Sequence, residues 1–160
     1  MEENGKKFED LKFVRLTEPG QFNLIPRYLF EQVKDEDLII DRVYQYGPHS
    51  LAHPFTFFHV LVEKDTALIK GFLWAEIDVY TNILFVNIFS VDREYQGDDA
   101  LKITLDFAEK IQEEQQLTKI QMITPRPEAC EARDKRMNEK PRLKRSKITI
   151  LEIQPCHKVK

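Results

Sequence analysis

The sequence predicts an α+β fold: a mixed, mostly antiparallel sheet flanked by helices on both faces. Two observations lead there. Three β-rich runs, Phe57 to Glu63, Ile69 to Val79 and Ile83 to Val91, follow one another through short polar connections, the pattern of an antiparallel meander. After Val91 the apolar period lengthens to that of a helix, and another β-rich run, Lys119 to Thr124, follows it. A strand–helix–strand step returns the chain parallel to where it left, so the sheet is mixed.

The elements follow in order. Lys12 to Leu16 alternates and reads as a first strand. Thr17 is an N-cap candidate, with Phe22, Ile25, Leu29 and Val33 at helical spacing behind it. Pro26 lies inside that pattern, so this helix starts late or kinks. A second, weaker helix spans Asp35 to Tyr44, and Gly47-Pro48 is expected to break the chain. The meander comes next, its last two strands joined through Tyr80-Thr81-Asn82. Asp92 to Gly97 is a loop, and a long helix runs from Asp98 to Gln116. Its stripe is Ala100, Ile103, Phe107 and Ile111, widened by Leu101, Leu105 and Ala108. A face that broad belongs against a sheet. Pro125 and Pro127 close the next strand, Glu128 to Met137 is a short charged helix, and Lys144 to Ile153 is expected as a final strand.

Residues 12–154 are thus expected to make a single domain, between a flexible stretch at 1–11 and a tail at 155–160. With 42% hydrophobic residues, eleven Phe and five Tyr, the chain has the apolar surface to bury a core. A net charge of −3 does not by itself call for a polyanionic or polycationic partner. Cys130 and Cys156 are too few for a disulfide framework. The N-terminal residues have no apolar core of a signal peptide, and no apolar run reaches membrane-spanning length. The expectation is a cytoplasmic protein with no membrane partner.

The chemistry concentrates in Val91-Asp92-Arg93-Glu94-Tyr95-Gln96-Gly97-Asp98-Asp99-Ala100-Leu101, between a buried strand and the long helix. A helix N-terminus there offers unpaired backbone N–H groups and the positive end of the helix dipole, which suit an anion. Val91, Tyr95, Gln96 and Gly97 resemble the opening of the motif by which the GNAT (general N-acetyltransferase-like) superfamily holds the pyrophosphate of coenzyme A, and the order of elements from Phe13 to Ile153 is similar too.

The resemblance implies acetyl-CoA as co-substrate, an amine acceptor, and a cofactor surface made of Phe89, Val91, Gln96, Gly97, Asp98, Asp99, Ala100 and Leu101. For the proton-accepting and polar roles it implies Glu76 and Asp78 on one strand and Asn87 on the cofactor strand. The same three residues also suit solvent-facing strand positions. The sequence departs from the family at Asp99 and Leu101, where the motif has a glycine and a second small residue. Asp98 and Asp99 place negative charge where phosphate would sit, and both equally suit a helix N-terminus as dipole partners. The charged helix at 128–137 lacks the Tyr that the family commonly uses as acid.

Other patterns carry less. His49 and His53 have helical spacing but stand between Pro48 and Pro54, with no third ligand nearby, so no metal is expected. Residues 135–147 are basic (Lys135, Arg136, Lys140, Arg142, Lys144, Arg145 and Lys147 against Glu139) but carry no interleaved aromatics, so nucleic acid is not the expected partner. Three functions are weighed: an N-acetyltransferase, weak or inactive if the loop excludes phosphate; a non-catalytic binding or assembly protein on the same scaffold; and a nucleic-acid-associated protein. The acceptor is not legible, and a homo-oligomer is left open.

Overall fold

The structure, a computed structural model, describes residues 7–33, 38–124 and 126–156, with the backbone alone at Asp98. The expected helix start at Asp35, the strand-closing Pro125 and residues 1–6 lie outside the described residues.

Five strands form one sheet whose spatial order is the chain order. They are β1 (Leu11–Arg15), β2 (Thr56–Glu63), β3 (Ile69–Asp78), β4 (Ile83–Val91) and β5 (Lys119–Met122). β1 to β4 pair antiparallel, and β5 pairs parallel with β4 after the crossover helix α3 (Asp98–Gln115). The meander and the single parallel step are those the β-rich runs predict.

Both faces of the sheet are covered, which is why seven of the eight β2 residues are buried rather than alternate ones. On one face Phe58, Val60, Val62 and Phe72 pack beneath Phe22, Leu29 and Phe30. Those three come from a 3₁₀ turn (Pro19–Leu24) and the short helix α1 (Arg27–Glu31). Pro26 separates the two, so the α-helix starts late, directly after the proline as its place in the pattern suggests, and Glu18 rather than Thr17 occupies the N-cap of the preceding turn. The side chain of Gln21 folds back to accept from both the Thr17 and Glu18 N–H groups, at 3.0 Å each. On the other face Phe57, Leu73, Ala75, Leu84 and Val86 meet Ala108 and Ile111 of α3. Phe107 stacks on Phe13 of β1, ring centroids 3.9 Å apart.

Two expectations fail. Gly47-Pro48 does not end a helix; it lies inside α2 (Ile40–Ser50). Packing overrides local propensity here. Gly47 lies against the Phe22 ring so closely that a Cβ would come within 2.3 Å of it, and the Tyr44 hydroxyl donates to the Ile25 carbonyl at 2.8 Å. Pro48 falls in the last turn, so its missing N–H removes one hydrogen bond near the helix end and does not interrupt the helix interior. The helix closes just beyond, with the Leu51 N–H on the Pro48 carbonyl.

The final strand expected at 144–153 does not form. Ile148, Ile150, Leu151 and Ile153 are 67 to 94% exposed in irregular chain. Strand propensity measures fit to a sheet, and this segment has no neighbouring strand to fit. The chain just before it is anchored. Asp134 of α4 (Pro127–Met137) is buried, and its carboxylate accepts from the Arg142 N–H (3.2 Å), the Leu143 N–H (2.9 Å) and Asn138 Nδ2 (3.0 Å).

Candidate active site

β4 is paired on both sides only over its first half. Its ladder with β5 runs from Ile83↔Lys119 to Val86↔Met122, with one further bond from the Ile123 N–H to the Val86 carbonyl. At that point β4 carries an extra residue: Trp74 of β3 faces Ile88, Ala75 faces Val86, and Asn87 lies between as a β-bulge. A bulge bends the strand that holds it and raises its twist. Beyond it, Ile88 to Val91 continue along β3 while β5 has ended, and the two strands part.

The groups exposed by the split follow from the register. The Asp92 N–H donates to the Lys70 carbonyl at 2.7 Å, so 92·70, 90·72 and 88·74 are the hydrogen-bonded pairs of this ladder. Phe89 and Val91 between them turn their backbone groups to the side β5 has vacated. Among the described residues no partner receives their N–H groups. The Phe89 and Val91 N–H groups therefore lie along the edge of β4 beyond the end of β5.

That edge runs on through a turn to the start of α3. Asp92 accepts from the Glu94 N–H at 3.0 Å and from the Tyr28 hydroxyl at 2.6 Å, which sets a 3₁₀ turn over Arg93–Tyr95. Burial and then the bond to Asp92 push the Tyr28 hydroxyl pKa well up, so it stays a donor. Tyr95 is buried among Phe8, Leu61, Val91 and Ala100, and hydrogen-bonds Glu63. The aromatic of the motif is thus a core residue. Gly97 is the N-cap in fully extended backbone with open space around it, so nothing in its geometry demands glycine.

Asp99 is exposed in the first turn of α3, whereas Ala100 and Leu101 are buried, Ala100 in one cluster with Leu61 and Val91 of the sheet. Gln96 is exposed, and its Nε2 folds back to donate to the Val91 carbonyl at 3.1 Å, an oxygen that Nε2 of Gln32, the residue capping α1, also reaches at 2.7 Å. The expected role of the Asp98 side chain lies outside the described residues.

The expected polar residues are spread unevenly. Asn87 is the bulge itself. Glu76 is exposed on β3, opposite Phe85. Asp78 is at the far end, where its Oδ1 accepts from the Tyr80 N–H at 2.9 Å and shapes the β3–β4 turn. At about 3.3 Å per residue, that turn is roughly 25 Å along β4 from Val91. Among the described residues no cluster of side chains could hold a metal. The basic stretch before the C-terminus is partly committed: Arg142 pairs with Asp106 (2.8 Å) and Glu109 (2.7 Å) of α3, and Arg145 with Glu131 (2.8 Å) and Glu128 (3.3 Å) of α4.

Sequence reasoning missed two features. One is the bulge, which nothing in Val86-Asn87-Ile88 announces. The other is an open cavity of about 460 Å³ between α2 and β3, floored by Trp74. Its sequence signal was the small Gly47 on a helix face, read instead as a break.

No family model matches the chain, and no curated protein matches it in sequence. Solved structures do match in shape. A possible acetyltransferase from Clostridium difficile 630 superposes with a TM-score of 0.66 at 11% identity, over 92% of this chain and 99% of that one. The aminoglycoside N-acetyltransferase AAC(6')-Iy in complex with CoA gives 0.64 at 12%, over 91% and 97%. A ribosomal-protein-alanine N-acetyltransferase from Brucella melitensis biovar Abortus 2308 gives 0.62 at 15%, over 90% and 98%. At these identities the likeness is one of fold, and that fold is the GNAT acetyltransferase fold.

Proposed function

We propose that this GNAT-fold chain binds acetyl-CoA along the freed edge of β4 and transfers its acetyl group to an amine. The observation that carries the reading is the end of the β4–β5 ladder at the Asn87 bulge, which leaves the Phe89 and Val91 N–H groups on a β4 edge without a neighbouring strand, ahead of the start of α3. The extended, amide-bearing arm of coenzyme A suits such an edge, since its amides can exchange hydrogen bonds with backbone as an added strand does. One of the freed N–H groups polarises the thioester carbonyl and stabilises the oxyanion that forms there. The acceptor amine attacks that carbon, a C–N bond forms, and the C–S bond breaks to release the coenzyme A thiolate. Glu76, directly or through water, takes the proton from the amine, and Asn87 orients the reacting groups. Backbone N–H groups at residues 98–101 face the pyrophosphate, with Asp99 opposing it. Among the described residues no helix is long and apolar enough to cross a membrane. Two free cysteines suit a reducing, cytoplasmic setting.

A second reading rests on Asp99, on the buried Leu101 and on Gln96 turned back to Val91: the scaffold binds a partner without transferring an acetyl group. Calorimetry with acetyl-CoA, followed by thiol release in the presence of amines, separates the two. Transfer requires saturable binding, tightened about tenfold in Asp99→Gly as charge and bulk leave the phosphate site. Absence of heat at millimolar acetyl-CoA, in both proteins, rules the first reading out.

A further inference from the structure

The freed edge of β4 is not bare at its end. By the parity of the β3–β4 ladder the Val91 carbonyl points, like its N–H, to the side that β5 has left. Two side-chain amides meet it there. Gln32 Nε2, at the end of α1, donates to it at 2.7 Å, and Gln96 Nε2, just ahead of α3, at 3.1 Å. A carbonyl oxygen has two lone pairs, so this one is fully used. A ligand arm that pairs with β4 as an added strand finds a ready donor in the Val91 N–H but an acceptor already occupied.

The two amides are held differently. The Ser90 hydroxyl donates to the Leu29 carbonyl of α1 at 2.6 Å, so its oxygen is left to accept, and Gln32 Nε2 donates to it at 2.7 Å. Gln32 thus spends its amide protons on Ser90 and on Val91, in a chain of bonds that joins α1 to the end of β4. Ser90 is buried and Gln32 half-buried. Gln96 is exposed, and the Val91 carbonyl is the one partner of its side chain among the described residues. Its bond lies toward the long end of the N–H···O range, and those of Gln32 lie at the short end. One amide is built in; the other is free to leave.

We propose that Gln96 is a place-holder at the cofactor edge: its side-chain amide occupies the Val91 carbonyl until an amide N–H of the coenzyme A arm displaces it. Gln32 stays, as the positioning residue that keeps this carbonyl aimed along the edge. The exchange sets one neutral N–H in place of another on the same lone pair and turns Gln96 to water, so no polar group is stranded at either stage. The ligand class follows: the edge takes an arm that carries its own amide, and a nucleotide without one has nothing to exchange. The exchange rests on the reading that acetyl-CoA lies along β4.

The test follows the side-chain amide resonances of Gln32 and Gln96 in the full chain as acetyl-CoA or, separately, ADP is added. ADP carries the pyrophosphate and no amide arm. With acetyl-CoA the Gln96 pair should move to the position and fast solvent exchange of a free amide, whereas the Gln32 pair keeps slow exchange. With ADP the Gln96 pair should stay. Calorimetry gives a second readout. Gln96→Ala removes the competitor and should bind acetyl-CoA about threefold more tightly, the low end for one neutral hydrogen bond. Gln32→Met, close in volume, should bind it about tenfold more weakly, with the ADP response unchanged in both variants. Undiminished binding in Gln32→Met overturns its positioning role. If acetyl-CoA binds with the Gln96 pair unmoved, or Gln96→Ala binds it no more tightly, the place-holder falls and the transfer reading is untouched. If neither the unmodified chain nor Gln96→Ala binds acetyl-CoA at millimolar concentration, both fall.

Discussion

His59 is a buried imidazole whose Nδ1 has no hydrogen-bond partner among the described residues, set edge-on against Phe107 at 4.8 Å and beside Arg15 across the β1–β2 ladder. Burial, and then the Arg15 charge, bring its pKa from 6.5 down to about 4. The fold thus prefers the neutral form, and protonation favours the unfolded chain. Its contribution is complete above pH 6.5 and is lost as the pH falls towards 4, on the order of 3 kcal/mol over that interval. Urea midpoints measured at pH 7 and 4.5 should fall more steeply in the unmodified chain than in His59→Leu, which cannot titrate. Parallel profiles would show that the imidazole is solvated or paired. At this scale the sequence was legible where one residue's chemistry suffices, as with the apolar stripe of α3. It was illegible for His59, Asn87 and Trp74, whose properties come from neighbours on other strands.

Among the elements, α4 and the chain after it depend on one carboxylate. Burial alone would raise the Asp134 pKa, but the Leu143 and Arg142 N–H groups, Asn138 and the Arg142 charge more than offset this and hold it below the usual carboxylate range. The clamp is therefore intact from neutral pH down through the ordinary carboxylate range and lets go only below it. Arg142, fixed by that clamp, extends to Asp106 and Glu109 and ties α4 to α3, the helix whose first turn follows the end of β4. Asp134→Ala should cost about 2 to 3 kcal/mol, because it strands two backbone N–H groups and an amide. It should also open residues 138–145 to proteolysis at neutral pH. An unchanged midpoint with the same cleavage pattern would contradict the clamp. Element existence was readable from the sequence wherever a partner was assured: β2, β3 and β4 pair with chain neighbours, and β4 spans the residues its pattern marks. The segment at 144–153 has the same composition without a neighbour, and α2 runs through a Gly-Pro pair because Phe22 and Tyr44 hold it there. Both errors arise from contacts distant in sequence.

The whole molecule is a sheet that is closed at one end and parted at the other. Its closed end is bound by the β3–β4 turn, the β5 ladder and the end of α3, where Asn82 Nδ2 donates to the Gln116 carbonyl at 2.9 Å and the Thr118 N–H to the Asn82 carbonyl at 2.9 Å. The other end has the bulge at Asn87, the freed N–H groups and the first turn of α3, with the Trp74 cavity on its reverse side. The order of strands and the strand-to-helix junction were visible in the sequence; the parting was not, because one inserted residue in a ladder leaves the β pattern of Ile83 to Val91 unbroken. The central claim is that acetyl-CoA lies along this freed edge. It is tested most directly by following backbone amide resonances of the full chain as acetyl-CoA is added. The account predicts saturable shifts at Phe89 and Val91, with slowed solvent exchange of both amides, and accompanying shifts at Asp99 to Leu101. Unmoved resonances at Phe89 and Val91 under saturating acetyl-CoA would contradict it.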